Sequence, residues 1–204
     1  MSTQPISTGA TVAKSERSQR LSAEDWSRAA IELIAEQGVA GLAVEPLARR
    51  LGVTKGSFYW HFPSRDALLQ TALDSWEIEE QRILMEHLDG VNDPHERVRA
   101  LTRLVSHDVK LHTIYSELVK AMNHPIVNPV VERISKSRLA YLTALFRDVG
   151  LDETQAPHRA RLTYAAYIGL LQLNMQIKQF RLHQEEFEAY IEHVMQTLIP
   201  SQKK

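Results

Sequence analysis

The stretch PLARRLGVTKGSFYWHF, residues 46–62, contains the signals that decide how the chain begins to fold. Pro46 is tolerated in the first turn of a helix because its missing N–H is not needed there. Gly52 is placed to stop that helix. Thr54 is placed to cap a second short helix, which Pro63 closes. Two short helices joined by a tight glycine turn predict a helix-turn-helix.

A helical wheel over residues 54–62 separates the aromatic side chains into two sets. Phe58 and Phe62 are four residues apart and share one face, which we assign to the core. On the opposite face, a glycine costs roughly 1 kcal/mol of helix stability but lets the backbone approach a partner closely. Lysine can read guanine edges, and hydroxyl groups can contact bases and phosphates. The outward residues, which favour contact with DNA, are Lys55, Gly56, Ser57, Tyr59 and Trp60.

The rest of the chain shows apolar residues at helical spacing and contains only eight glycines and eight prolines, which predicts an all-α fold. A first helix is expected from the N-cap Ser22 to Gly38. A long helix should begin after Ser64 and end near Asp89, and the pair Asp93-Pro94 should open the next. Further helices are expected over 112–122, 128–149, 155–180 and 184–198.

The composition excludes several classes of protein. No run approaches the ~18 apolar residues of a membrane span, and the first 20 residues lack the apolar core of a secretory signal. The absence of cysteine excludes disulfides and thiolate metal sites, and it suits a cytoplasmic protein. The net charge of -1 is divided mildly, with a small positive excess over residues 1–65, so charge neither requires nor excludes DNA binding.

Residues 30–69, AIELIAEQGVAGLAVEPLARRLGVTKGSFYWHFPSRDALL, resemble the DNA-binding domain of the tetracycline-repressor (TetR/AcrR) family of transcriptional regulators. The resemblance implies an N-terminal three-helix DNA-binding domain on a helical ligand-binding and dimerisation domain. We therefore expect a disordered arm over 1–20, a helix-turn-helix domain over 21–65, and an effector-binding and dimerisation domain over 66–200.

The same resemblance assigns roles to individual residues of the helix-turn-helix. Lys55, Gly56, Ser57 and Tyr59 would face the major groove. The residues that would meet phosphates or the groove wall are Thr54, Trp60, His61 and Arg65. One position departs from the family pattern, because Ala43 stands where a threonine often caps the second helix and contacts phosphate. That contact is not expected in this chain.

Polar side chains on the later helices are candidates for an effector pocket. These candidates are His107, His112, Tyr115, Tyr141 and Asn174, and each could equally be a satisfied core or interface residue. The spacing of the two histidines places their imidazoles on different helix faces, so no metal site is predicted. No catalytic triad, phosphate loop or H-E-x-x-H pattern occurs, so we expect neither an enzyme nor a cofactor.

The last two helices carry apolar stripes that suit pairing with a second copy of the chain. A four-helix interface between two subunits is expected, although plain intramolecular packing would explain the same stripes. The residues expected at the interface are Ala166, Gly169, Leu170, Leu173 and Ile177 on the first helix and Ile191, Val194 and Met195 on the second.

These observations together predict a homodimeric DNA-binding transcriptional regulator. We expect a repressor that leaves a palindromic double-stranded operator when a small-molecule effector binds, with no membrane partner. Two alternatives remain open. One is a helical enzyme or metal-binding protein that carries a helix-turn-helix, and the other is a regulator without any ligand.

Overall fold

The computed structural model describes residues 21–107, 109–177 and 183–199, and every regular element in these ranges is helical. The expected arm over residues 1–20 lies outside the described residues. The all-α prediction is confirmed. The helices are α1 (Ala23–Gln37), α2 (Val44–Arg50), α3 (Lys55–Phe58), α4 (Arg65–Leu88), α5 (Pro94–His107), α6 (Val109–Lys120), α7 (Val127–Asp148), α8 (Gln155–Gln176) and α9 (Gln184–Leu198), with a short 3-10 turn at Val39–Gly41.

Helix α1 begins where the sequence predicts because Ser22 satisfies backbone groups of its first turn. The Ser22 hydroxyl accepts from the backbone N–H of Asp25 at 3.2 Å. The Asp25 carboxylate accepts in return from the backbone N–H of Ser22 at 2.8 Å, which completes a capping box. The helix ends at Gly38, whose φ of 73° lies in the left-handed region that glycine adopts without strain.

Helices α1 to α4 pack around buried aromatic rings. Trp26 of α1 meets Phe58 of α3 edge-on, with 5.4 Å between ring centroids, and Phe58 stacks on Phe62 at 5.8 Å. Leu47 and Ala48 of α2 are buried in the same core. The assignment of Phe58 and Phe62 to the core is therefore confirmed.

Helix α3 is shorter than the predicted 54–62, because regular helix ends at Phe58. Beyond it the chain tightens into turns, and the His61 backbone N–H donates to the Phe58 carbonyl at 2.9 Å. Pro63 disfavours helical backbone at the residue before it. A helix of one turn is not stable alone, so the burial of two phenylalanines holds this segment. Thr54 occupies the N-cap position but makes no capping side-chain hydrogen bond within the described residues, so its predicted capping role is wrong.

The later helices follow the predicted order with shifted ends. Helix α4 starts after Ser64, whose hydroxyl accepts from the Ala67 backbone N–H at 3.1 Å. Helix α6 begins at Val109 rather than 112, since no glycine or proline between Pro94 and Pro125 marks its start. Helix α8 ends at Gln176 instead of 180, and residues 178–182 lie outside the described part of the chain.

The core of the first domain continues into the second without a break. The first half of α4 buries Leu68, Leu69, Ala72 and Leu73 in the same cluster as Trp26. That cluster extends further, to Ile114, Tyr115 and Leu118 of α6 and to Val127, Val130, Val131 and Ile134 of α7. The predicted boundary at residue 65 therefore coincides with the start of a helix that both domains share.

A second hydrophobic cluster lies at the other end of the molecule. It joins α5, the C-terminal half of α7, the start of α8 and the end of α9, and its buried members include Val98, Leu145, Phe146, Ala160 and Met195. None of the helices in the described ranges is both long enough and apolar enough to span a membrane.

Candidate functional site

Residues 54–62, which we call the α3 segment, present two exposed aromatic side chains on the side away from the buried Phe58 and Phe62. The exposed fraction is 56% for Tyr59 and 83% for Trp60, whereas Phe58 and Phe62 are buried. Large exposed aromatic side chains are enriched at binding surfaces rather than on inert ones. The two sets of rings therefore face different environments, as the helical wheel predicts.

Lys55 is exposed at the start of α3 and pairs with an acidic residue of the preceding helix. Its Nζ donates to Oε1 of Glu45 at 2.7 Å. The hydrogen bond from Lys55, reinforced by its charge, lowers the pKa of the Glu45 carboxyl. The same hydrogen bond raises the pKa of Lys55, which therefore carries its positive charge at neutral pH. A cation and an anion thus lie side by side on the surface predicted to meet DNA.

Gly56 is not required by packing within the subunit. A Cβ atom built at this position would meet only the Thr54 hydroxyl oxygen, at 3.8 Å, which is ordinary van der Waals contact. Its backbone has a helical conformation that any residue adopts. Glycine destabilises a helix relative to alanine, and packing within the described residues does not explain it here. The predicted close approach of DNA at Gly56 stays a prediction.

The start of α2 has no side-chain cap. Ala43 occupies the N-cap position with extended backbone and provides no oxygen for the first turn. The acidic Glu45 lies in that turn, where negative charge is favourable to the helix dipole. Ala43, the position that departs from the family pattern, therefore leaves the start of α2 without a side-chain cap.

Arg65 makes contacts inside the subunit that the sequence does not predict. Its Nη2 donates to the Val39 carbonyl at 2.7 Å and its Nε to the Leu42 carbonyl at 3.0 Å. Its Nη1 lies 3.0 Å from the Asp66 carboxylate and 3.5 Å from the His124 ring. Arg65 therefore fastens α4 to the loop between α1 and α2, and its predicted phosphate contact stays a prediction.

The other predicted DNA-contacting residues lie around the same segment. Ser57 and His61 are partly buried, and the His61 ring is tilted against Trp26 with 6.5 Å between centroids. Thr54 is exposed at the N-terminus of α3. Seven of the eight predicted residues lie within residues 54–61, whereas Arg65 is held by Val39 and Leu42. Their contacts with DNA stay predictions.

Two of the five effector candidates, Tyr115 and His112, are buried in the interior of the second domain. Tyr115 is buried, and its hydroxyl is hydrogen-bonded to the hydroxyls of Tyr164 and Ser135, the latter at 3.2 Å. His112 is buried on the same helix, and its Nδ1 lies 2.7 Å from the Tyr167 hydroxyl. Tyr141 is partly buried against the second hydrophobic cluster instead. The side chains of His107 and Asn174 lie outside the described residues.

A buried ion pair next to Tyr115 is not predicted from the sequence. Arg138 of α7 is hydrogen-bonded through Nη2 to Glu80 of α4, and both side chains are largely buried. The Arg138 Cζ atom lies 4.0 Å from the centroid of the Tyr115 ring, a cation–π contact. We call Glu80, Tyr115, Ser135, Arg138 and Tyr164 the polar cluster. A usable sequence signal is Glu80, an acidic residue one turn after the apolar Trp76.

Helix α8 exposes a stripe of apolar and small residues. Leu173 and Ile177 are 39% and 40% exposed, and Leu162 on the same stripe is exposed as well. Between them lie the exposed Ala166 and Gly169, which would let another helix approach closely. Three further residues predicted for the interface are partly buried, namely Leu170, Ile191 and Val194. The assignment of these residues to a dimer interface stays a prediction, since one subunit alone does not test it.

Met195 does not fit the predicted interface. It is buried in the second hydrophobic cluster, and its sulfur lies 3.2 Å from the Thr102 hydroxyl. A side chain enclosed by its own subunit offers no surface to a second one, so its assignment to the dimer interface is wrong. Within the described residues, no group of three or more His, Asp or Glu side chains is arranged to hold a metal ion.

The first domain is similar in amino-acid sequence to known proteins. The model of the family described as "Bacterial regulatory proteins, tetR family" matches residues 28–72. The tetracycline repressor protein class A from transposon 1721 of Escherichia coli is 46% identical over 48 residues, which are 24% of this chain and 22% of that protein. The HTH-type transcriptional regulator SrpR of Pseudomonas putida is 43% identical over 47 residues, 23% of this chain and 22% of that protein. The chain thus spans less than a quarter of the length of either relative.

Most of the chain has the same fold as several solved structures. A TetR-family transcriptional regulator from Agrobacterium tumefaciens superposes with a TM-score of 0.74 at 19% identity, covering 87% of this chain and 97% of that one. Reduced Escherichia coli NemR superposes with a TM-score of 0.70 at 19% identity, covering 89% and 99% of the two chains. These relatives and structures are regulatory proteins rather than enzymes, in agreement with the absence of a catalytic motif.

A helix-turn-helix domain whose core continues into a larger helical domain defines the class of this protein. The sequence match covers the first domain, and the match over most of the chain is one of fold. By sequence, the first domain is of the type found in the tetR family of bacterial regulatory proteins.

Proposed function

We propose that this chain is a homodimeric, cytoplasmic transcriptional regulator that binds a palindromic operator through the α3 segment and represses transcription until a small-molecule effector releases it. The observation that carries the proposal is the division of one short segment into buried and exposed rings. Phe58 and Phe62 anchor it, while Lys55, Tyr59 and Trp60 project from the surface. The first domain, over about residues 21–65, would be the DNA-binding unit.

The chemistry of the exposed side chains supports DNA as the partner. Lys55 supplies a positive charge and three donors for a phosphate or a guanine edge. Tyr59 and Trp60 supply flat, exposed surfaces for sugar and base contacts. Gly56 leaves the backbone accessible between them. Thr54, Ser57, His61 and Arg65 would contribute hydroxyl, imidazole and guanidinium contacts around this centre, which position the protein on the backbone.

A homodimer is supported by the exposed stripe on α8. Apolar residues such as Leu173 and Ile177 are stabilised when a second subunit removes them from water. A two-fold dimer presents two α3 segments, which explains why we propose a palindromic operator. Leu170, Ile191 and Val194 are at least partly accessible for the same contact.

Release by an effector is supported by the continuity of the two domains. Helix α4 follows Pro63 and Ser64 directly after the α3 segment, and its later turns reach the polar cluster through Glu80. A ligand that binds better to a helix arrangement unable to contact both half-sites would weaken operator binding, typically through ~1–3 kcal/mol of coupling.

Selection from a library of random duplexes tests this function, because the selection itself reveals the operator sequence. Purified protein should enrich a two-fold symmetric sequence, and the affinity for that sequence should fall steeply with salt because phosphate contacts release counterions. A reporter gene placed behind the selected sequence should be repressed when the protein is expressed. Failure to enrich any sequence, or an affinity independent of salt, would overturn the proposal.

A further inference from the structure

We propose that the polar cluster of the second domain binds an uncharged aromatic molecule through a carbonyl oxygen. This inference rests on the effector-responsive function proposed for the chain and specifies the chemical class of the effector. The cluster draws side chains from four helices, α4, α6, α7 and α8, so a ligand held there contacts every helix that surrounds it.

Two buried hydrogen-bond donors lie next to the cluster. The Nη1 group of Arg138 and the Nε1 group of Trp76 are buried and have no hydrogen-bond partner within the described residues. Trp76 is itself a buried side chain, and its ring stacks on Tyr115 with 6.4 Å between centroids. Neither group can accept a hydrogen bond. Because buried donors without partners are costly, a ligand that supplies acceptors is favoured here.

The hydroxyl groups add to this donor character. The hydroxyls of Tyr115, Ser135 and Tyr164 are hydrogen-bonded to one another, with 3.0 Å between Ser135 and Tyr164. Burial raises the pKa of Tyr115, with a further upward contribution from its contact with Tyr164, so its phenol keeps its proton at neutral pH. Each hydroxyl can rotate to donate to an incoming oxygen atom.

The charge of the cluster favours a neutral ligand over an ionic one. Glu80 already neutralises Arg138, and both are largely removed from water. A carboxylate ligand would introduce a second negative charge beside Glu80 in a medium of low dielectric constant, where like charges repel strongly. A carbonyl oxygen accepts the same hydrogen bonds without that cost. An ammonium group supplies donors and no acceptors, so it would leave these free donors without partners.

The rings around the cluster favour a planar, aromatic ligand. Trp76 lies nearly parallel to Tyr115, with 22° between the ring planes, and Tyr164 lies 6.4 Å from Tyr167 at 32°. The Arg138 guanidinium also lies 5.9 Å from the Tyr167 ring. A flat aromatic ligand would make with these rings the offset-stacked or edge-to-face contacts that aromatic rings favour.

Coumarin and coumarin-3-carboxylate provide a matched pair of probes, because they share a planar ring system and a ring carbonyl and differ in charge. Calorimetric titration of the full chain should show coumarin binding about tenfold more tightly than its carboxylate, a preference worth about 1.4 kcal/mol. Tighter binding of the carboxylate by the wild-type chain, or no binding of coumarin up to its solubility limit, would overturn the inference.

Glu80→Gln tests the electrostatic part of the argument. Removing the charge that neutralises Arg138 should shift the preference by about tenfold toward coumarin-3-carboxylate. Glu79→Gln, an exposed neighbour on α4 that pairs with Arg82 instead, should leave the preference unchanged. An equal shift in both variants, or an unchanged preference in a folded Glu80→Gln protein, would contradict the role of Glu80.

Tyr164→Phe provides a second variant in case Glu80→Gln fails to fold. It keeps the ring and removes one hydroxyl donor, and coumarin should bind about fivefold more weakly. Unchanged coumarin affinity would exclude this hydroxyl from the site. Duplex selection is independent of these titrations. Protein that enriches an operator but ignores coumarin overturns only this inference, whereas protein that binds coumarin but enriches no duplex overturns only the DNA-binding proposal.

Discussion

Lys55 and Glu45 form an ion pair, 2.7 Å from Nζ to Oε1, on the surface that we propose to enter the major groove. Both side chains are more than half exposed, so the pair adds little to folding stability. In the proposed complex with DNA, Lys55 would exchange this carboxylate for the DNA. The carboxylate also repels phosphates and therefore lowers affinity for duplexes of any sequence.

Glu45→Gln should raise affinity for non-specific duplex by no more than about fivefold, since an exposed ion pair contributes little. Lys55→Ala should lower operator affinity, and Lys136→Ala on α7 provides an exposed lysine control. Gel-shift titrations measure the DNA affinity of all three variants. Equal affinities of Glu45→Gln and wild-type protein for random duplex would show that the pair does not restrain Lys55.

Gly56→Ala should separate folding from DNA binding. The added methyl group meets only ordinary contact within the subunit, so the free energy of unfolding should rise by about 0.5–1 kcal/mol, as helix propensity dictates. Operator affinity should nevertheless fall severalfold, because the methyl group occupies space needed for close approach. Urea denaturation and gel shift test the two parts. Retained affinity in a stabilised variant would remove the argument that glycine serves the partner.

Alanine substitutions of Phe58 and Trp60 should affect different properties, the first the folding stability and the second the binding of DNA. Phe58→Ala opens a cavity next to Trp26 and should cost about 3–5 kcal/mol of stability. Trp60→Ala removes an exposed ring and should change stability by no more than about 0.5 kcal/mol, while it weakens operator binding. Thermal denaturation with gel shift of each variant checks both statements. A large loss of stability in Trp60→Ala would contradict the surface assignment.

The capping box of α1 should contribute a pH-dependent stability. The backbone N–H and the hydroxyl of Ser22, with a smaller contribution from Arg28, lower the pKa of Asp25 below its ordinary value of 3.8. A carboxyl whose pKa is lower in the folded state stabilises the protein above its unfolded pKa, and this contribution is lost as the pH falls through the folded pKa.

Asp25→Asn should therefore be less stable than wild type at pH 7, and the difference should shrink below about pH 4, where the wild-type carboxyl becomes protonated. Urea denaturation of both proteins from pH 7 to pH 3 measures this difference in the free energy of unfolding. Asp89→Asn provides a control, because Asp89 follows the C-terminus of α4 and takes no part in this capping box. A difference that grows toward low pH would contradict the sign of the shift.

Leu173→Glu should disrupt the proposed dimer by placing a charge in the exposed stripe of α8. Sedimentation velocity should show a monomer, and operator affinity should fall by about 100-fold as the avidity of two half-sites is lost. Ala140→Glu, at an exposed position of α7, adds the same charge as a control. A Leu173→Glu protein that remains dimeric would exclude this stripe from the interface.

Local signals in the sequence are sufficient for much of the first domain. Ser22, Gly38 and Pro63 mark their boundaries by backbone chemistry that acts within a few residues, and the four-residue spacing of Phe58 and Phe62 identifies the buried side of α3. The sequence overestimates the length of α3, because a helical wheel continues through residues that the structure folds into turns.

Long-range contacts cannot be predicted in this way. Arg138 and Glu80 are 58 residues apart, and no local pattern indicates that α7 brings one to the other. The sequence predicts that Arg65 contacts phosphate, whereas in the structure its guanidinium donates to the carbonyls of Val39 and Leu42. The stripe on α9 contains both partly exposed and buried residues, so periodicity alone does not distinguish Met195 from Val194.

The core shared by the two domains limits where this chain can be joined to a relative in a chimeric protein. A chimera that takes its DNA-binding part from this chain and its effector domain from a relative would naturally be joined at residue 65. That junction would place foreign side chains against Trp26, because Leu68, Leu69, Ala72 and Leu73 belong to the same buried cluster. A junction at the exposed Ser75 would keep these four residues with the first domain, although Ile114, Tyr115 and Leu118 of α6 would still add foreign side chains to the cluster.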